Sequence, residues 1–210
     1  MPTYFISGID TDAGKTYCTA YLAKLLSNKG KTVITQKFIQ TGNTGHSEDI
    51  DAHRVLTGTG PLPEDREGLN APIIFSYPAS AQLAAIIDSR EIDLNIIDKA
   101  REELERRYDI VLVEGAGGLM VPITDNFFAI DYASSRSLPM WLVTNSRLGS
   151  INHTILSLEA IKSRGITLAG VLYNKYFDQD KLIAADTRAF IERYLAVNFP
   201  GASIIDVPPL

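Results

Sequence analysis

The sequence predicts an α/β fold with a single doubly wound, mainly parallel sheet and helices on both faces. Short apolar runs recur along the chain and alternate with segments of helical spacing. The apolar runs are nearly continuous, as in strands that are covered on both faces. A glycine-rich loop joins the first apolar run to the first helical segment, and helix starts of this kind bind anions.

Five apolar runs are predicted to be strands, and most of the segments between them are predicted to be helices. The strands cover Tyr4–Ser7, Thr32–Thr35, Asp109–Val113, Met140–Val143 and Leu168–Leu172. The helices cover Lys15–Asn28, Ile50–Leu56, Ala81–Ser89, Leu94–Arg107, Ile151–Ser163 and Gln179–Val197. The segment from Thr57 to Pro78 is rich in Pro and Gly and is predicted to be mainly loop with a short piece of strand. Because no repeat or linker divides the sequence, residues 1–210 are predicted to form one domain.

The composition is that of an ordinary globular protein, with 45% hydrophobic and 21% charged residues. The net charge of −5 disfavours nucleic acid as a partner, because phosphate backbones are bound by basic surfaces. No apolar run approaches the roughly 20 residues that span a bilayer, and the N-terminus lacks the features of a secretory signal. The single cysteine, Cys18, cannot form an internal disulfide. We therefore expect a cytoplasmic protein that binds neither membranes nor nucleic acid.

The loop "GIDTDAGKT", from Gly8 to Thr16, predicts a phosphate-binding site. It is one residue longer than the common P-loop pattern, but a strand precedes it and a helix follows it. Lys15 would neutralise phosphate charge and Thr16 would bind Mg²⁺. The alternative is an ordinary helix start. The loop also carries two carboxylates, Asp10 and Asp12, beside an anion that they must repel.

Acidic and basic residues at other strand ends are predicted to join this loop. In "VLVEGAGG", a buried strand delivers Glu114 at its carboxyl end, where ligands bind in open α/β sheets and where an acid completes the Mg²⁺ shell. Lys37 follows the second strand and would add positive charge to the same crevice. Asp49 or Asp51, near the start of a helix, would supply a further metal ligand; the alternative is a favourable interaction with the helix dipole.

Two later segments are weaker candidates. "LGSINH" contains Ser150, which is predicted to be the N-cap of a helix whose free N–H groups would bind a carboxylate; the alternative, which local evidence alone slightly favours, is a well-capped surface helix. Asn174 follows the strand Leu168–Leu172 and would read a nucleotide base. The three histidines lack metal-ligand spacing, so zinc is not expected.

Together these segments resemble dethiobiotin synthetase, an ATP-dependent enzyme family of biotin synthesis. "GIDTDAGKT", "KFIQTG", "VEGAGG" and "LGSINH" match the family's motifs in their order and approximate spacing. The resemblance extends over nearly the whole chain. Asp12 stands where many members have Glu, and Phe38 replaces a usual proline.

The resemblance implies a P-loop NTPase-like fold and an ATP- and Mg²⁺-dependent cyclo-ligase. In the family, 7,8-diaminononanoate takes up CO₂ as a carbamate, and ATP phosphorylates the carbamate to a carbamic-phosphoric anhydride. The second amine then closes the ureido ring, and dethiobiotin, ADP and phosphate leave. The resemblance also implies a homodimer with shared active sites, in which the "LGSINH" helix start binds the substrate carboxylate across the interface.

The resemblance further assigns roles to individual residues. The catalytic residues are Lys15, Lys37, Thr11 and Asp12, with Asp12 positioning the cationic diamine beside the triphosphate. The nucleotide-binding residues are Asp12, Ala13, Gly14, Lys15, Thr16, Tyr17 and Asn174. The substrate-binding residues are Thr11, Lys37, Thr41, Gly117, Leu148, Gly149, Ser150, Ile151 and Asn152. The metal ligands are Thr16, Asp49 and Glu114, with Asp49 chosen over Asp51 by its place in the family pattern.

Two departures from the family affect these expectations. "YPASAQ" stands where the family often has Ser-Pro-His, which leaves the role of Ser80 open. The sequence ends at "VPPL", where longer members continue, so we expect less discrimination between ATP and other triphosphates.

Two other functions compete with the synthetase. A partitioning or septum-positioning ATPase would carry a signature lysine early in the loop, where Asp10 stands here. An amidation or cobyrinate-type synthetase would need a glutaminase domain with a catalytic cysteine, whereas Cys18 lies within the first predicted helix.

Overall fold

A six-stranded, fully parallel sheet forms the centre of the protein. The computed structural model describes residues 2–209. The six strands are β1 (Thr3–Gly8), β2 (Val33–Lys37), β5 (Ile110–Gly118), β8 (Met140–Asn145), β9 (Leu168–Asn174) and β10 (Ser203–Val207). Their order is β10-β9-β8-β1-β5-β2. Two small additional sheets pair β3 (Gln40–Thr41) with β4 (Ile74–Phe75), and β6 (Pro122–Thr124) with β7 (Phe127–Phe128).

Eight helices accompany the described strands. They are α1 (Lys15–Ser27), α2 (Glu48–Thr57), α3 (Pro63–Arg66), α4 (Ala81–Ile87), α5 (Leu94–Arg107), α6 (Ala129–Ser135), α7 (Ser150–Ser163) and α8 (Lys181–Asn198). Within residues 2–209, none of them is long and apolar enough to cross a membrane.

Alternating side chains of the central strands build two hydrophobic cores. On one face, Phe5 and its neighbours pack against helices α4 to α8. On the other face, Ile6 and its neighbours pack against α1, and α2 lies beside α1 and over β2. Successive side chains of a strand point to opposite faces of the sheet, and these strands carry apolar side chains on both faces. Each face of the sheet must therefore be covered by helices. The predicted doubly wound α/β fold is confirmed.

The sheet order brings the predicted motifs to one edge. β1 lies between β5 and β8, and the chain winds towards β2 on one side and towards β10 on the other. The loops after β1, β2, β5, β8 and β9 therefore leave the sheet at its carboxyl edge, around the point where the winding direction changes. Such points are the usual ligand sites of open α/β sheets.

Several predicted boundaries are wrong. β5 continues through the glycines to Gly118, and α4 ends at Ile87, because Ser89 has a positive φ of 51°. The edge strand β10 and the helix α6 were not predicted. β10 reads Ser-Ile-Ile-Asp-Val, and its two polar residues are exposed, so it lacks the continuous apolar pattern of the central strands.

Candidate active site

The phosphate loop is a short 3₁₀ turn followed directly by helix α1. The turn covers Thr11–Ala13, and the Asp10 carboxylate caps it by accepting a hydrogen bond from the Thr11 backbone N–H at 2.6 Å. Gly14 then adopts a φ of 88° and Lys15 begins the helix. The loop therefore directs the N-terminus of a 13-residue helix at the cleft, an arrangement that favours bound phosphate.

Gly14 and Asn174 lock this loop to the end of strand β9. The Asn174 amide donates to the Ala13 carbonyl at 3.1 Å, and its oxygen accepts from the Tyr176 N–H at 3.1 Å. A Cβ at position 14 would lie 2.2 Å from Asn174 Nδ2, so only glycine fits. Asn174 thus holds the phosphate loop; its predicted reading of the base stays a prediction.

The Lys15 ammonium lies inside the loop. It donates to the carbonyl oxygens of Asp10 and Thr11 at 3.0 Å each, and the side chain is almost fully buried. Burial lowers the pKa of Lys15 to about 8, with Lys37 adding repulsion and Glu114 partly offsetting both. An ammonium with few neutralising partners is poised for an anionic ligand.

Lys37, Asp49, Glu114 and Thr16 form a compact cluster beside the loop. The Lys37 ammonium lies 2.6 Å from Asp49 Oδ2 and 2.8 Å from Glu114 Oε1. The Thr16 hydroxyl lies 2.9 Å from Asp49 Oδ1 and 3.0 Å from the same Glu114 oxygen. β2 and β5 place Lys37 directly opposite Glu114 in the parallel register, so the sheet itself sets this pair.

The two buried charges stabilise each other. Burial alone would raise the pKa of Glu114, but Lys37 and then His53 more than offset this, and the pKa lies well below its usual range. Burial alone would lower the pKa of Lys37, but Glu114 and Asp49 raise it above its ordinary value. Both groups therefore stay charged at neutral pH.

The oxygens of this cluster suit Mg²⁺. The Thr16 hydroxyl has one proton, but two carboxylate oxygens lie within 3.0 Å of it. It can donate a hydrogen bond to only one of them, so the other contact brings two oxygens together without a proton between them. Octahedral Mg²⁺ with oxygens at about 2.1 Å holds neighbouring ligands about 3.0 Å apart, which matches both contacts. No group of three His, Cys, Asp or Glu side chains with metal-site geometry occurs in residues 2–209. Mg²⁺ sites at phosphates need only one or two carboxylates.

Asp51 does not reach this cluster. Its carboxylate is mostly exposed and lies 3.8 Å from the exposed His46 ring, whereas Asp49 faces Thr16 and Lys37. The structure thus places at the cleft the aspartate that the family pattern selects.

Phe38 gains a hydrogen bond that proline cannot make. Its backbone N–H donates to the Glu114 carbonyl at 2.8 Å, and its ring packs against Phe5 and Tyr132. The replacement of the family's usual proline therefore ties β2 more closely to the strand that carries Glu114.

Most predicted site residues line one cleft of about 480 Å³. The phosphate loop forms one wall, and the ends of β2 and β5 form the others. The predicted residues that line the cleft are Thr11, Asp12, Gly14, Lys15, Thr16, Lys37, Thr41, Asp49, Glu114 and Gly117. A neighbouring pocket of about 490 Å³ continues past Thr11 and Thr41 to Ser80, which caps helix α4.

The "LGSINH" residues lie around a separate pocket of about 200 Å³, which includes Leu148 and Ser150. Leu148 is 92% exposed, and Ile151 and Asn152 follow in the first turn of α7. The predicted N-cap is wrong: Gly149, with a φ of 95°, occupies that position. Ser150 is the first helical residue, and its hydroxyl donates to the Arg147 carbonyl instead.

Sequence reasoning missed two groups that contact the site. His53 is fully buried and lies 2.8 Å from Glu114 Oε2, and Arg147 pairs with Asp10 at 3.3 Å. One signal for His53 was available: it follows Asp49 by four residues, so helical spacing puts both on one face of α2.

Cys18 is a packing residue. It is fully buried in α1, and burial raises the pKa of its thiol far above the ordinary value. A buried, protonated thiol is not a nucleophile, so Cys18 lacks the reactivity of a glutaminase cysteine.

Known proteins similar to this chain cover nearly its whole length. ATP-dependent dethiobiotin synthetase of Pasteurella multocida is 44% identical over 198 residues, 94% of this chain and 93% of the relative. The enzyme of Haemophilus influenzae is 48% identical over 88% of this chain and 97% of the relative. The enzyme of Chlorobaculum tepidum is 46% identical over 96% of this chain and 85% of the relative. This chain belongs to the dethiobiotin synthetase family. The family that the motifs indicate, and the enzyme class predicted from it, are confirmed.

Broader comparisons agree on the fold of this dethiobiotin synthetase family member. A family model described as an AAA domain matches residues 2–202. The MinC:MinD cell division complex of Aquifex aeolicus contains a chain with a TM-score of 0.56 and 20% identity, matched over 99% of this chain and 81% of the other. The kinase domain of Escherichia coli tyrosine kinase ETK has a TM-score of 0.51 and 18% identity, over 85% of this chain and 69% of the other. At these identities the likeness extends to the fold alone.

We expect Gly14→Ala to disturb the phosphate loop more than a comparable change elsewhere. The alanine would combine a strained φ with a clash against Asn174, at a cost of about 2–4 kcal/mol. Gly58→Ala is the control, because Gly58 has a φ of 78° and open space around it, so only the strain of about 1–2 kcal/mol applies. Urea denaturation and ADP affinity measure both variants. Equal losses of unfolding free energy in the two variants would contradict the proposed clash.

The affinity for metal-free ADP is expected to fall as the pH rises above about 8. The pKa of Lys15 is about 8 in the free protein, and a bound diphosphate raises it, so binding takes up a proton above this pH. Each further pH unit then costs up to about tenfold in affinity. Calorimetric titrations in EDTA at pH 7, 8 and 9 test this, with Lys15→Arg as the variant that stays charged. A Lys15→Arg profile as steep as the wild-type profile would refute the assignment to Lys15.

Proposed function

We propose that this chain is an ATP- and Mg²⁺-dependent cyclo-ligase that converts 7,8-diaminononanoate and CO₂ into dethiobiotin, with release of ADP and phosphate. One observation carries the proposal. Lys15 and Lys37 lie buried in the same cleft as the oxygen cluster of Thr16, Asp49 and Glu114. A carbamate and the γ-phosphate are both anionic, and two adjacent ammonium groups offset their mutual repulsion.

The reaction proceeds in three balanced steps. One substrate amine attacks CO₂, forming a C–N bond and losing a proton to give the carbamate. A carbamate oxygen then attacks the γ-phosphorus, and the bond to the β-phosphate oxygen breaks to release ADP. Finally the second amine attacks the carbonyl carbon of the anhydride, expels phosphate, loses its proton and closes the ring.

The chain contributes positions and charges, and no protein nucleophile is needed. Lys15 would bind the phosphates from inside the loop, and Lys37 would hold the attacking carbamate oxygen near the γ-phosphate. Thr11 and Thr41 line the wall between this cleft and the neighbouring pocket, where their hydroxyls would donate to the carbamate. Gly117, with a φ of 66°, keeps that wall free of side-chain atoms.

Thr16, Asp49 and Glu114 would hold Mg²⁺, which would supply positive charge to offset the negative charge that develops during transfer. The chain's contribution is the placement of the Thr16 hydroxyl within 3.0 Å of both carboxylates. The remaining predicted contacts belong to the nucleotide: the N–H groups of Ala13 to Thr16 at the helix start, with Tyr17 and Asn174 beyond them.

The "LGSINH" segment supports the proposed homodimer with shared active sites. Its pocket is separate from the main cleft within one chain, and the apolar side chains of Leu148 and Leu156 are largely exposed nearby. A second copy would cover these side chains, while Gly149 to Asn152 would bind the substrate carboxylate at the start of α7. We place the working enzyme in the cytoplasm.

Fixation of radiolabelled bicarbonate tests the proposed reaction. Acid-stable label is expected only when MgATP, 7,8-diaminononanoate and the protein are all present. Lys37→Met should reduce the rate by at least about 10²-fold, because it removes one charge-stabilising group and also leaves the buried Glu114 without its ion-pair partner. Lys31→Met is the control, because Lys31 is exposed and lies outside the cleft. Nucleotide binding without any label fixation by the wild-type protein would overturn the assignment of this substrate.

Asp12→Asn is expected to weaken diamine use while leaving the nucleotide in place. Asp12 is exposed and lines the cleft, so loss of its charge removes an attraction to the ammonium of the diamine. We expect KM for the diamine to rise about tenfold, equivalent to ~1.4 kcal/mol, and the Kd of ADP to stay within about twofold. The exposed Asp186→Asn is the control. An increase in the Kd of ADP as large as that in KM would contradict this role.

A further inference from the structure

His53 forms a buried contact behind the candidate metal ligand Glu114. Its ring is fully buried, Nε2 lies 2.8 Å from Glu114 Oε2, and Nδ1 lies 3.0 Å from the Thr35 hydroxyl. The other Glu114 oxygen, Oε1, faces Thr16 and Lys37. The carboxylate is thus held from both sides, and His53 occupies the side away from the cleft.

The hydrogen bonds around His53 determine which ring nitrogen carries the proton. The Glu114 carboxylate only accepts, so Nε2–H must donate to it. Arg54 has only donors, and its Nη1 donates to the Thr35 hydroxyl at 3.0 Å. The hydroxyl therefore has its own proton free to donate to Nδ1 of His53. A ring that donates from Nε2 and accepts at Nδ1 satisfies every group in this chain of contacts.

Arg54 is fixed in turn by the segment after helix α2. Its guanidinium forms a bidentate pair with Asp65, with contacts of 3.0 Å from Nε and 2.8 Å from Nη2. Asp65 also accepts from the Leu62 backbone N–H at 2.8 Å and from the Asn70 amide. A continuous hydrogen-bonded chain runs from Asp65 in helix α3 through Arg54, Thr35 and His53 to Glu114.

We infer that His53 is a positioning residue that fixes Glu114 for metal binding, by holding Oε2 so that Oε1 stays beside the Thr16 hydroxyl, which also contacts Asp49. The inference rests on the proposed Mg²⁺ site. Hydrogen bonds to the distal atom of a ligand orient it and tune its affinity for the metal. Without His53, Oε2 would be a buried carboxylate oxygen without a donor, and the carboxylate would rotate to find one.

Two substitutions of His53 separate positioning from packing. Gln places an amide N–H near the position of Nε2, so His53→Gln retains a donor for Glu114, whereas His53→Leu fills the space without a donor. Thr35→Val removes the hydroxyl proton that keeps Nδ1 an acceptor, and it is close in shape to threonine. The exposed ring of His46 provides the control, His46→Leu.

The experiment measures binding of Mn²⁺, which accepts the same oxygen ligands as Mg²⁺, to the protein–ADP complex by electron paramagnetic resonance. His53→Leu is expected to raise the Kd of Mn²⁺ about 10–100-fold. The Kd of Mn²⁺ in His53→Gln and His46→Leu should stay within about threefold of the wild-type Kd. The Kd in Thr35→Val should be higher than in these two variants and lower than in His53→Leu. ADP affinity in EDTA should be unchanged in all four variants.

Other outcomes would overturn the inference. The inference is wrong if His53→Leu binds Mn²⁺ as tightly as the wild-type protein. It is also wrong if His53→Gln loses as much Mn²⁺ affinity as His53→Leu. If His53→Leu does not fold, an unchanged Mn²⁺ affinity in Thr35→Val would have the same consequence. Absence of Mn²⁺ binding to wild-type protein with ADP would remove the metal site itself. A wild-type protein that binds Mn²⁺ normally but fixes no bicarbonate would refute only the proposed substrate.

Discussion

The ion pair between Lys37 and Glu114 is the constraint on which the rest of the site depends. Both groups are buried, so neither charge survives without the other, and loss of one partner of such a pair typically costs about 3–5 kcal/mol. The parallel register of β2 and β5 sets them opposite each other. Asp49 and His53 then complete the set of contacts, one to each member of the pair.

Burial lowers the pKa of Lys15, and the ion pair limits which partners its ammonium can reach. Glu114 attracts the Lys15 ammonium, but Lys37 repels it and already contacts Oε1 of Glu114, while His53 contacts Oε2. Lys15 is left with backbone carbonyls as its hydrogen-bond partners. The cleft therefore holds one lysine that is neutralised by carboxylates and one that is not, and the second is the natural partner of an incoming polyphosphate. The division of labour between the two lysines follows from the sheet register.

The residues that local motifs encode were predictable from the sequence. Lys15 and Thr16 belong to a contiguous loop, and Glu114 ends an apolar strand, so their chemistry can be read without knowledge of distant contacts. Lys37 followed from the rule that parallel strands share a carboxyl edge. The sheet and its helices on both faces followed from periodicity, which is strong wherever the strands are buried on both sides.

The unpredicted features depend on contacts between segments that are far apart in the sequence. His53 meets Glu114 across 61 positions, and this contact exists only because α2 packs over β2. Strand β10 is held by pairing with β9 rather than by its own apolar pattern. The N-cap of α7 was misassigned because Gly149 adopts a positive φ, which makes it the last residue before the helix. Serine is a favoured N-cap residue, but the backbone path of the preceding loop places Gly149 at the N-cap position.

The two carboxylates of the phosphate loop lie in different electrostatic environments, and this difference makes them compatible with a bound anion. Asp10 turns away from Lys15: it accepts the Thr11 N–H and pairs with Arg147, whose guanidinium also stacks on the Phe177 ring at 4.9 Å. Its charge is therefore offset, and its role is to shape the turn. The Asp12 carboxylate lies at the exposed wall of the cleft, where water screens it from phosphate and where a cationic ligand would meet it directly. A loop built for phosphate alone would have no use for that second charge, whereas under the proposed function Asp12 would hold the amine of the diamine beside the triphosphate.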